Sequence, residues 1–329
     1  MRIRAVVLAA LLAFSPLASA ENFNANITVY PIDNFQIGSS TTQFGKLTYI
    51  GGFAMTADNR NFGALSSFRM LDGSGTKFAA VADTGFFMTG VIERDAALKP
   101  VGISALSFQE LPDIKGQISN SKWEVDSESL VVDGNIAIIG FERIHRLAVF
   151  PFDGVMLGKS TGNLDFLIPE RELRGNRGFE TLAKSPAESP LGGALVAVSE
   201  KSIDKDGNIF AAVLSGPQKG MFKISRSDEF DITDGDFWPN GDMVILERSF
   251  GMARGIRMRL RQISGASIKP NAIVEGEILL EANMATQIDN MEGLDIWQAS
   301  DGTTRLSLVS DDNKSILQRN LYLEFVLKN

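Results

Sequence analysis

Residues 128–142 read Glu-Ser-Leu-Val-Val-Asp-Gly-Asn-Ile-Ala-Ile-Ile-Gly-Phe-Glu, and this stretch decides the fold. Two short apolar runs flank the pair Asp133-Gly134, and the second run ends in the acid Glu142. Asp-Gly favours the type I′ turn, because both central residues of that turn need a positive φ. The stretch therefore predicts a β-hairpin whose second strand ends in a carboxylate.

The same pattern recurs four more times along the chain, each time with an apolar anchor, a tight-turn pair and a terminal acid. The other four units run from Leu65 to Asp83, from Leu182 to Glu200, from Ile232 to Glu247 and from Leu294 to Asp311. Their anchors, together with Leu130, lie 50 to 65 residues apart. Such a spacing is typical of the four-stranded blades of a β-propeller that carries insertions.

Helical periodicity is scarce after residue 20, so the pattern predicts an all-β chain folded as one closed propeller over residues 26–326. Five units are clear, and Gly45–Thr56 is a candidate opening for a sixth, so five and six blades both remain open. The residues after Leu294 suffice for only three strands. We expect Ile27–Ile32 to complete the last blade by pairing within Arg319–Val326, which removes an open sheet edge.

The first 20 residues have the features of a secretory signal peptide. Arg2 and Arg4 precede the apolar run Ala5–Phe14, and small residues, Ala18 and Ala20, stand at the expected cleavage site. A helix that spans a membrane needs about 20 apolar residues, and this run has half that number. We predict a signal peptide over 1–20, a propeller domain over 21–329, a periplasmic or secreted location and no membrane span after cleavage.

Composition narrows the possible chemistry. The chain of 329 residues carries 40 acidic and 32 basic side chains, a formal charge of −8, which argues against a nucleic-acid partner. It has one histidine and no cysteine, which excludes thiolate chemistry, zinc–cysteine sites and iron–sulfur clusters. Function must rest on carboxylates, amides, hydroxyls and Arg or Lys.

The acids that end the five units form a candidate metal site. Equivalent positions of a propeller converge at one mouth of its central channel, so we expect these side chains to lie close together. The set consists of Asp83, Glu142, Glu200, Glu247 and Asp311. Hard divalent cations such as Ca²⁺ prefer clustered oxygen ligands, so the predicted cofactor is Ca²⁺ or another divalent cation.

A second set of residues forms the candidate catalytic group. Three glutamates stand two residues before an anchor leucine, and basic residues adjoin both acid sets. The candidates are Glu128, Glu180, Glu292, Arg143 and Arg177. A mouth of mixed charge suits a phosphate ester, which arginines and a cation stabilise together. The competing interpretation is that these acids form ordinary ion pairs between blades.

Several short motifs resemble those of the phytase-like domain family, described as having an esterase-like activity of phytase. They are residues 49–53, 58–66, 81–85, 128–130, 140–143, 178–180 and 290–294, in an arrangement that covers roughly residues 45–325. The sequence departs from the family pattern at Thr84, where an arginine is expected, and at Ala64, where a glycine is usual. The resemblance implies a secreted propeller that hydrolyses phosphate or carboxylic esters.

Three functional hypotheses follow. The first is a secreted hydrolase of a small-molecule ester, with a phosphomonoester favoured, that uses a carboxylate-held divalent cation. The second is a non-catalytic propeller that binds a ligand or protein, suggested by Thr84 and by the lack of a complete catalytic motif. The third is a lactonase-like hydrolase with one Ca²⁺. The sequence leaves the oligomeric state open.

Overall fold

A computed structural model describes residues 25–119, 121–173 and 178–328, and regular structure in these ranges is almost entirely β. Three short helical segments interrupt it, at Lys122–Val125, Glu170–Glu172 and Gly265–Ser267. No helix in the described ranges has the length and apolar character needed to cross a bilayer. The predicted signal peptide over residues 1–20 lies outside the described residues.

The described residues form twenty-three strands in five sheets. Three N-terminal strands come first: β1 (Ile27–Ile32), β2 (Gln43–Phe44) and β3 (Leu47–Ala57). The first sheet consists of β4 (Leu65–Met70), β5 (Lys77–Ala82), β6 (Phe86–Arg94) and β7 (Pro100–Glu110). The second sheet consists of β8 (Ser127–Asp133), β9 (Ile136–Phe141), β10 (Arg146–Pro151) and β11 (Gly162–Leu164).

The remaining sheets follow the same antiparallel order. The third contains β12 (Phe179–Lys184), β13 (Leu195–Ile203), β14 (Ile209–Val213) and β15 (Gly220–Ile224). The fourth begins with β16 (Asp231–Phe237), β17 (Met243–Gly251) and β18 (Gly255–Ile263). Next, β19 (Ile273–Val274) joins the third sheet in parallel and β20 (Glu277–Asn283) joins the fourth. The fifth contains β21 (Asn290–Gln298), β22 (Thr304–Asp311) and β23 (Asn320–Leu327), to which the three N-terminal strands are added.

The five sheets form a propeller arrangement around a central channel. Their first strands, β4, β8, β12, β16 and β21, contact one another in order, and β21 contacts β4. An apolar core fills each of the five contacts between neighbouring sheets, including the one between the fifth and the first. The structure therefore favours five blades over six. Burial of this apolar surface, at about 25 cal/mol per Å², stabilises a chain that has no disulfide.

The predicted pairing of Ile27–Ile32 with Arg319–Val326 is wrong. Strand β1 pairs with β3 alone, from Ile27 opposite Ala57 to Ile32 opposite Gly52. The strand that pairs with β23 is β3, with Leu47 opposite Leu327. The physical reason is burial, because six of the 11 residues of β3 are buried whereas Ile32 is the one buried residue among the six of β1. The segment considered as the opening of a sixth blade is therefore part of the fifth.

Arg69 crosses the centre of the channel from the first sheet. Its guanidinium makes a two-pronged pair with Asp234 of the fourth sheet, at 2.9 and 3.0 Å. It also donates to the carbonyl oxygens of Leu182 in the third sheet and Leu294 in the fifth. Both charged side chains are buried. One arginine therefore joins four of the five inner strands.

Candidate functional site

The same irregularity occurs in the first strand of every sheet and positions the candidate site. In the second sheet, Ser127 pairs with Phe141 and Ser129 with Gly140, so Glu128 is an extra residue without a partner across the ladder. Such a β-bulge re-aims the extra side chain. The five bulge residues are Ser66, Glu128, Glu180, Thr233 and Glu292.

A second position also repeats in every sheet. It directly follows the residue of the second strand that pairs with the residue before the bulge, and we call it the strand-end position. Its occupants are Asp83, Glu142, Glu200, Arg248 and Asp311. Each sheet thus brings one bulge residue and one strand-end residue to the same mouth of the channel. Seven of these ten side chains are carboxylates, which is the physical basis of the acidic cluster.

All of these residues except Thr233, whose buried hydroxyl donates to the carbonyl oxygen of Met291, line a cavity of about 160 Å³ whose walls are polar throughout. Eight carboxylates and three cations contribute to it. The predicted residues found in the cavity are Asp83, Glu128, Glu142, Arg143, Glu180, Glu200, Glu292 and Asp311. Arg177 lies outside the described residues. Asp126, Lys122 and Arg248 also line the cavity and were not among the predicted site residues.

The grouping of Glu247 with the other acids is wrong by one residue. Glu247 pairs with Ile232 in the ladder, and Arg248 takes the strand-end position. Since successive residues of a strand point to opposite faces, this shift turns Glu247 away from the channel. Its buried carboxylate instead accepts hydrogen bonds from Arg259 Nε and Arg261 Nη2, both at 2.7 Å.

Glu247→Gln is therefore expected to lower stability and leave any cation binding unchanged. The substitution removes the charge between Arg259 and Arg261, but Arg259 keeps the Asp228 carboxylate and Arg261 keeps the carbonyl oxygen of Ser225, so the cost is about 2 kcal/mol in the free energy of unfolding. Urea denaturation measures this loss, and Glu281→Gln, an exposed acid of β20, is the control with a cost below about 1 kcal/mol. A weaker response of the Glu247 variant to Ca²⁺ would contradict the assignment.

Burial and mutual repulsion disfavour the charged forms of the clustered acids. Desolvation raises the pKa of Glu142 to about 7, of Glu292 to about 8 and of Asp311 to about 6, and neighbouring carboxylates add to each shift. Desolvation likewise holds the pKa values of Glu128 and Glu180 well above the ordinary range. The cluster therefore needs protons or a cation near neutral pH.

Two cations neutralise part of the cavity. Lys122 pairs with Asp83, and its Nζ lies 3.4 Å from Asp126 Oδ1. Arg143 Nε lies 2.5 Å from Asp126 Oδ2, and the guanidinium packs over Trp123. Charge compensation is thus strongest around Asp83 and Asp126.

Arg248 is the third cation of the cavity. Its Nε lies 3.3 Å from Glu292 Oε1, its Nη2 lies 3.6 Å from Glu200, and it donates to Asn290 at 2.6 Å. The Glu292 charge is the largest influence that raises the pKa of Arg248. Asn290 also donates to Glu292 at 2.9 Å, so the amide holds the acid and the arginine together.

Two groups of three carboxylates have spacings that fit a shared metal ion. The first is Asp126, Glu128 and Glu142, and the second is Glu142, Glu180 and Glu200. In each group, one oxygen per residue lies within 4.8 Å of the others. Calcium–oxygen distances of about 2.3–2.6 Å place two ligands of one ion at most about 5 Å apart. Both groups come from the second and third sheets and share Glu142.

The fold and the site define a class of protein, a five-bladed β-propeller with a carboxylate-lined cavity at one mouth of its channel. The family described as Phytase-like: Esterase-like activity of phytase matches residues 60–314, and the chain belongs to this family. The resemblance seen in the sequence motifs is thereby confirmed. Comparison with curated proteins gives no match.

The solved structures that match the chain include several enzymes. An endo-arabinase from Bacteroides thetaiotaomicron is 10% identical, with a TM-score of 0.47, and the match covers 79% of this chain and 92% of that one. A PQQ-bound aldose sugar dehydrogenase from Streptomyces coelicolor is 12% identical, with a TM-score of 0.41 and coverage of 92% and 99%. A glutaminyl cyclase from Myxococcus xanthus is 12% identical, with a TM-score of 0.42 and coverage of 81% and 92%.

Proposed function

We propose that the chain is a periplasmic or secreted hydrolase of small-molecule esters, with phosphomonoesters favoured, and that it uses a divalent cation. The observation that carries this proposal is the pair of carboxylate groups that share Glu142. Membership of the family supports ester hydrolysis as the reaction class. Ca²⁺ is the proposed ion, because every candidate ligand is a carboxylate oxygen.

The residues present fit such an ion. The Asp126 Oδ1 atom is buried and accepts no hydrogen bond within the described part of the chain, and its ion pair with Lys122 Nζ is loose at 3.4 Å, so this oxygen could serve as a ligand. The raised pKa values of Glu128, Glu142 and Glu180 mark a deficit of positive charge among these carboxylates. A bound divalent cation would supply that charge, polarise an ester oxygen and lower the pKa of a water molecule.

The protein side chains have separate roles in this proposal. Glu142, Glu180 and Glu200 hold the cation. Arg248, at the edge of the same cavity, pairs with the anionic group of the substrate, since a guanidinium matches the geometry of a phosphate. Burial raises the pKa of Glu292 to about 8 against the opposing charge of Arg248, so this acid exchanges a proton close to neutral pH and is proposed to donate one to the leaving oxygen.

The other proposed roles complete the substrate clamp. Arg143 lines the cavity and is a second arginine for the anionic group. Arg177 is proposed for the same role. Asp83 and Asp311 lie at the strand-end positions of the first and fifth sheets and would contribute outer carboxylates.

A non-catalytic binding propeller is the second candidate function. It is favoured by the ion pairs of Lys122 with Asp83 and of Arg143 with Asp126, which already neutralise two carboxylates. Thr84 also replaces the arginine usual in the family. Hydrolysis of p-nitrophenyl phosphate, p-nitrophenyl acetate and a lactone, with Ca²⁺ or with EDTA, separates the candidates. Turnover that requires Ca²⁺ supports the proposal, whereas no turnover by folded protein favours the binding propeller.

Thermal stability is expected to depend jointly on Ca²⁺ and pH. The acids have pKa values of about 6, 7 and 8 for Asp311, Glu142 and Glu292, above those of the unfolded chain. Their contribution to stability is present below about pH 4.5 and is lost as pH rises to about 8. Bound Ca²⁺ relieves the repulsion among the ionised carboxylates. Ca²⁺ should therefore increase Tm more at about pH 8 than at about pH 5.

Differential scanning fluorimetry with Ca²⁺ and with EDTA measures this effect. A concentration of Ca²⁺ one hundred times its Kd adds about 2.7 kcal/mol to the free energy of unfolding. Glu180→Gln removes one carboxylate of the second group and should reduce the Ca²⁺ shift. An identical Ca²⁺ shift at both pH values, or none at either, would count against the cation site.

A further inference from the structure

A cleft of about 920 Å³ opens next to the carboxylate cavity and shares Arg248 and Asn313 with it. The tip of the β17–β18 hairpin forms one wall of the cleft. The connection between β22 and β23, through Ser315, Leu317 and Gln318, forms another wall. The bulge arrangement that gathers the acids does not account for this cleft.

The walls of the cleft expose an unusual amount of apolar surface. Phe250 and Leu317 line it and are 74% and 87% exposed, and Ile256 of β18, which pairs with Phe250 across the hairpin, also lines it. Met252 and Ile316, in the same two segments, are both 100% exposed. These are the four most exposed large apolar side chains in the described ranges. Exposed apolar surface concentrated at one place marks a binding site.

The polar side of the cleft carries excess positive charge. Lys201 Nζ and Arg226 Nη2 both pair with the single carboxylate of Asp231, at 2.7 and 2.8 Å. The other acid of the cleft, Glu229, is paired with Arg254 at 3.1 Å. Two cations around one carboxylate leave one positive charge for a ligand.

We propose that this cleft binds a monomeric amphiphilic anion. The anionic group of the ligand lies at Lys201 and Arg226, and its apolar chain lies along Phe250 and Leu317. Because the cleft continues into the carboxylate cavity at Arg248, the ligand class also defines a substrate class, amphiphilic anionic esters. That last step rests on the proposed hydrolysis, whereas binding itself does not.

Calorimetry with n-alkyl phosphates tests the binding. Butyl, hexyl and octyl phosphate are titrated below their critical micelle concentrations and in EDTA, so that a cation in the neighbouring cavity adds nothing. Each fully buried CH₂ group increases affinity up to about fourfold. We expect octyl phosphate to bind about 10- to 100-fold more tightly than butyl phosphate, and octyltrimethylammonium to bind at least about tenfold more weakly than octyl phosphate.

Variants separate the two parts of the cleft. Phe250→Ser combined with Leu317→Ser should remove most of the gain with chain length, and Arg226→Gln should weaken all the phosphates by a similar factor. Tyr30→Ser, which removes a side chain that is 56% exposed on β1, is the control and should change nothing. All of these side chains except that of Arg226 are mostly exposed, so folding should be preserved.

An affinity that does not rise with chain length would overturn the proposal. Binding seen only with phosphatidylglycerol vesicles would also overturn it, because the surface would then dock on a bilayer. Binding of octyl phosphate without turnover of any ester would support the cleft and count against hydrolysis. If the rate of hydrolysis depended neither on chain length nor on the Phe250 and Leu317 substitutions, hydrolysis would be supported and the cleft would be ruled out as the substrate site.

Discussion

Glu292→Gln is expected to lower the ester turnover rate by about two to three orders of magnitude, a typical loss when one transition-state contact is removed. Glu292 lies beside Arg248 and Asn290 in the cavity and belongs to neither of the two carboxylate groups that fit a cation. The amide keeps the shape of the side chain but has no proton that it can transfer. We therefore expect kcat to fall while the Ca²⁺-induced shift in Tm persists.

The assay uses protein without residues 1–20, p-nitrophenyl phosphate as substrate and saturating Ca²⁺. Glu281→Gln, an exposed substitution outside the cavity, is the matched control and should keep the full rate. Unchanged activity per folded molecule, together with a lower Tm, would show that Glu292 acts only as a structural partner of Arg248.

Asp234→Asn should have the largest effect on stability. The carboxylate is fully buried, accepts both prongs of Arg69 and also accepts the backbone N–H of Leu294 at 2.9 Å. Loss of its charge leaves the buried guanidinium without the carboxylate that pairs with it directly, at a cost of about 3–5 kcal/mol in the free energy of unfolding. Urea denaturation monitored by tryptophan fluorescence gives this value.

Two comparisons make this prediction specific. The double variant Arg69→Met with Asp234→Asn removes both charges and should recover much of the loss. Glu277→Gln breaks an exposed pair with Lys46, 3.8 Å apart, and should cost less than about 1 kcal/mol. A cost for Asp234→Asn as small as that of Glu277→Gln would show that the central pair contributes little.

The hairpins and most of the acidic cluster could be predicted because both depend on local sequence. Turn pairs such as Asp133-Gly134 fix where a hairpin reverses, and an acid at its end is visible without long-range information. The assignment of Glu247 failed because in the fourth sheet an acid stands one residue before the strand-end position, and only the observed pairing shows that Arg248 takes that position.

Long-range choices were harder to predict. The partner of β23 depended on a competition between two N-terminal segments, which was decided by how well each one buries its side chains. Asp126 carries no repeat signal, since it reaches the cavity through the approach to β8 and not through a strand-end position. The central pair of Arg69 and Asp234 joins residues 165 positions apart in the sequence.

The position of Arg69 also limits how a small molecule can move along the channel. On the inner strands, Arg69 pairs with Asp234 one residue beyond the level of the bulges that carry Glu180 and Glu292. The guanidinium therefore forms the floor of the carboxylate cavity. Within the described residues, Arg69 blocks the way along the channel, so a molecule in that cavity must leave on the side from which it arrived. A reaction product and the next substrate would then use the same side of the cavity, and the product would have to leave before the next substrate could bind.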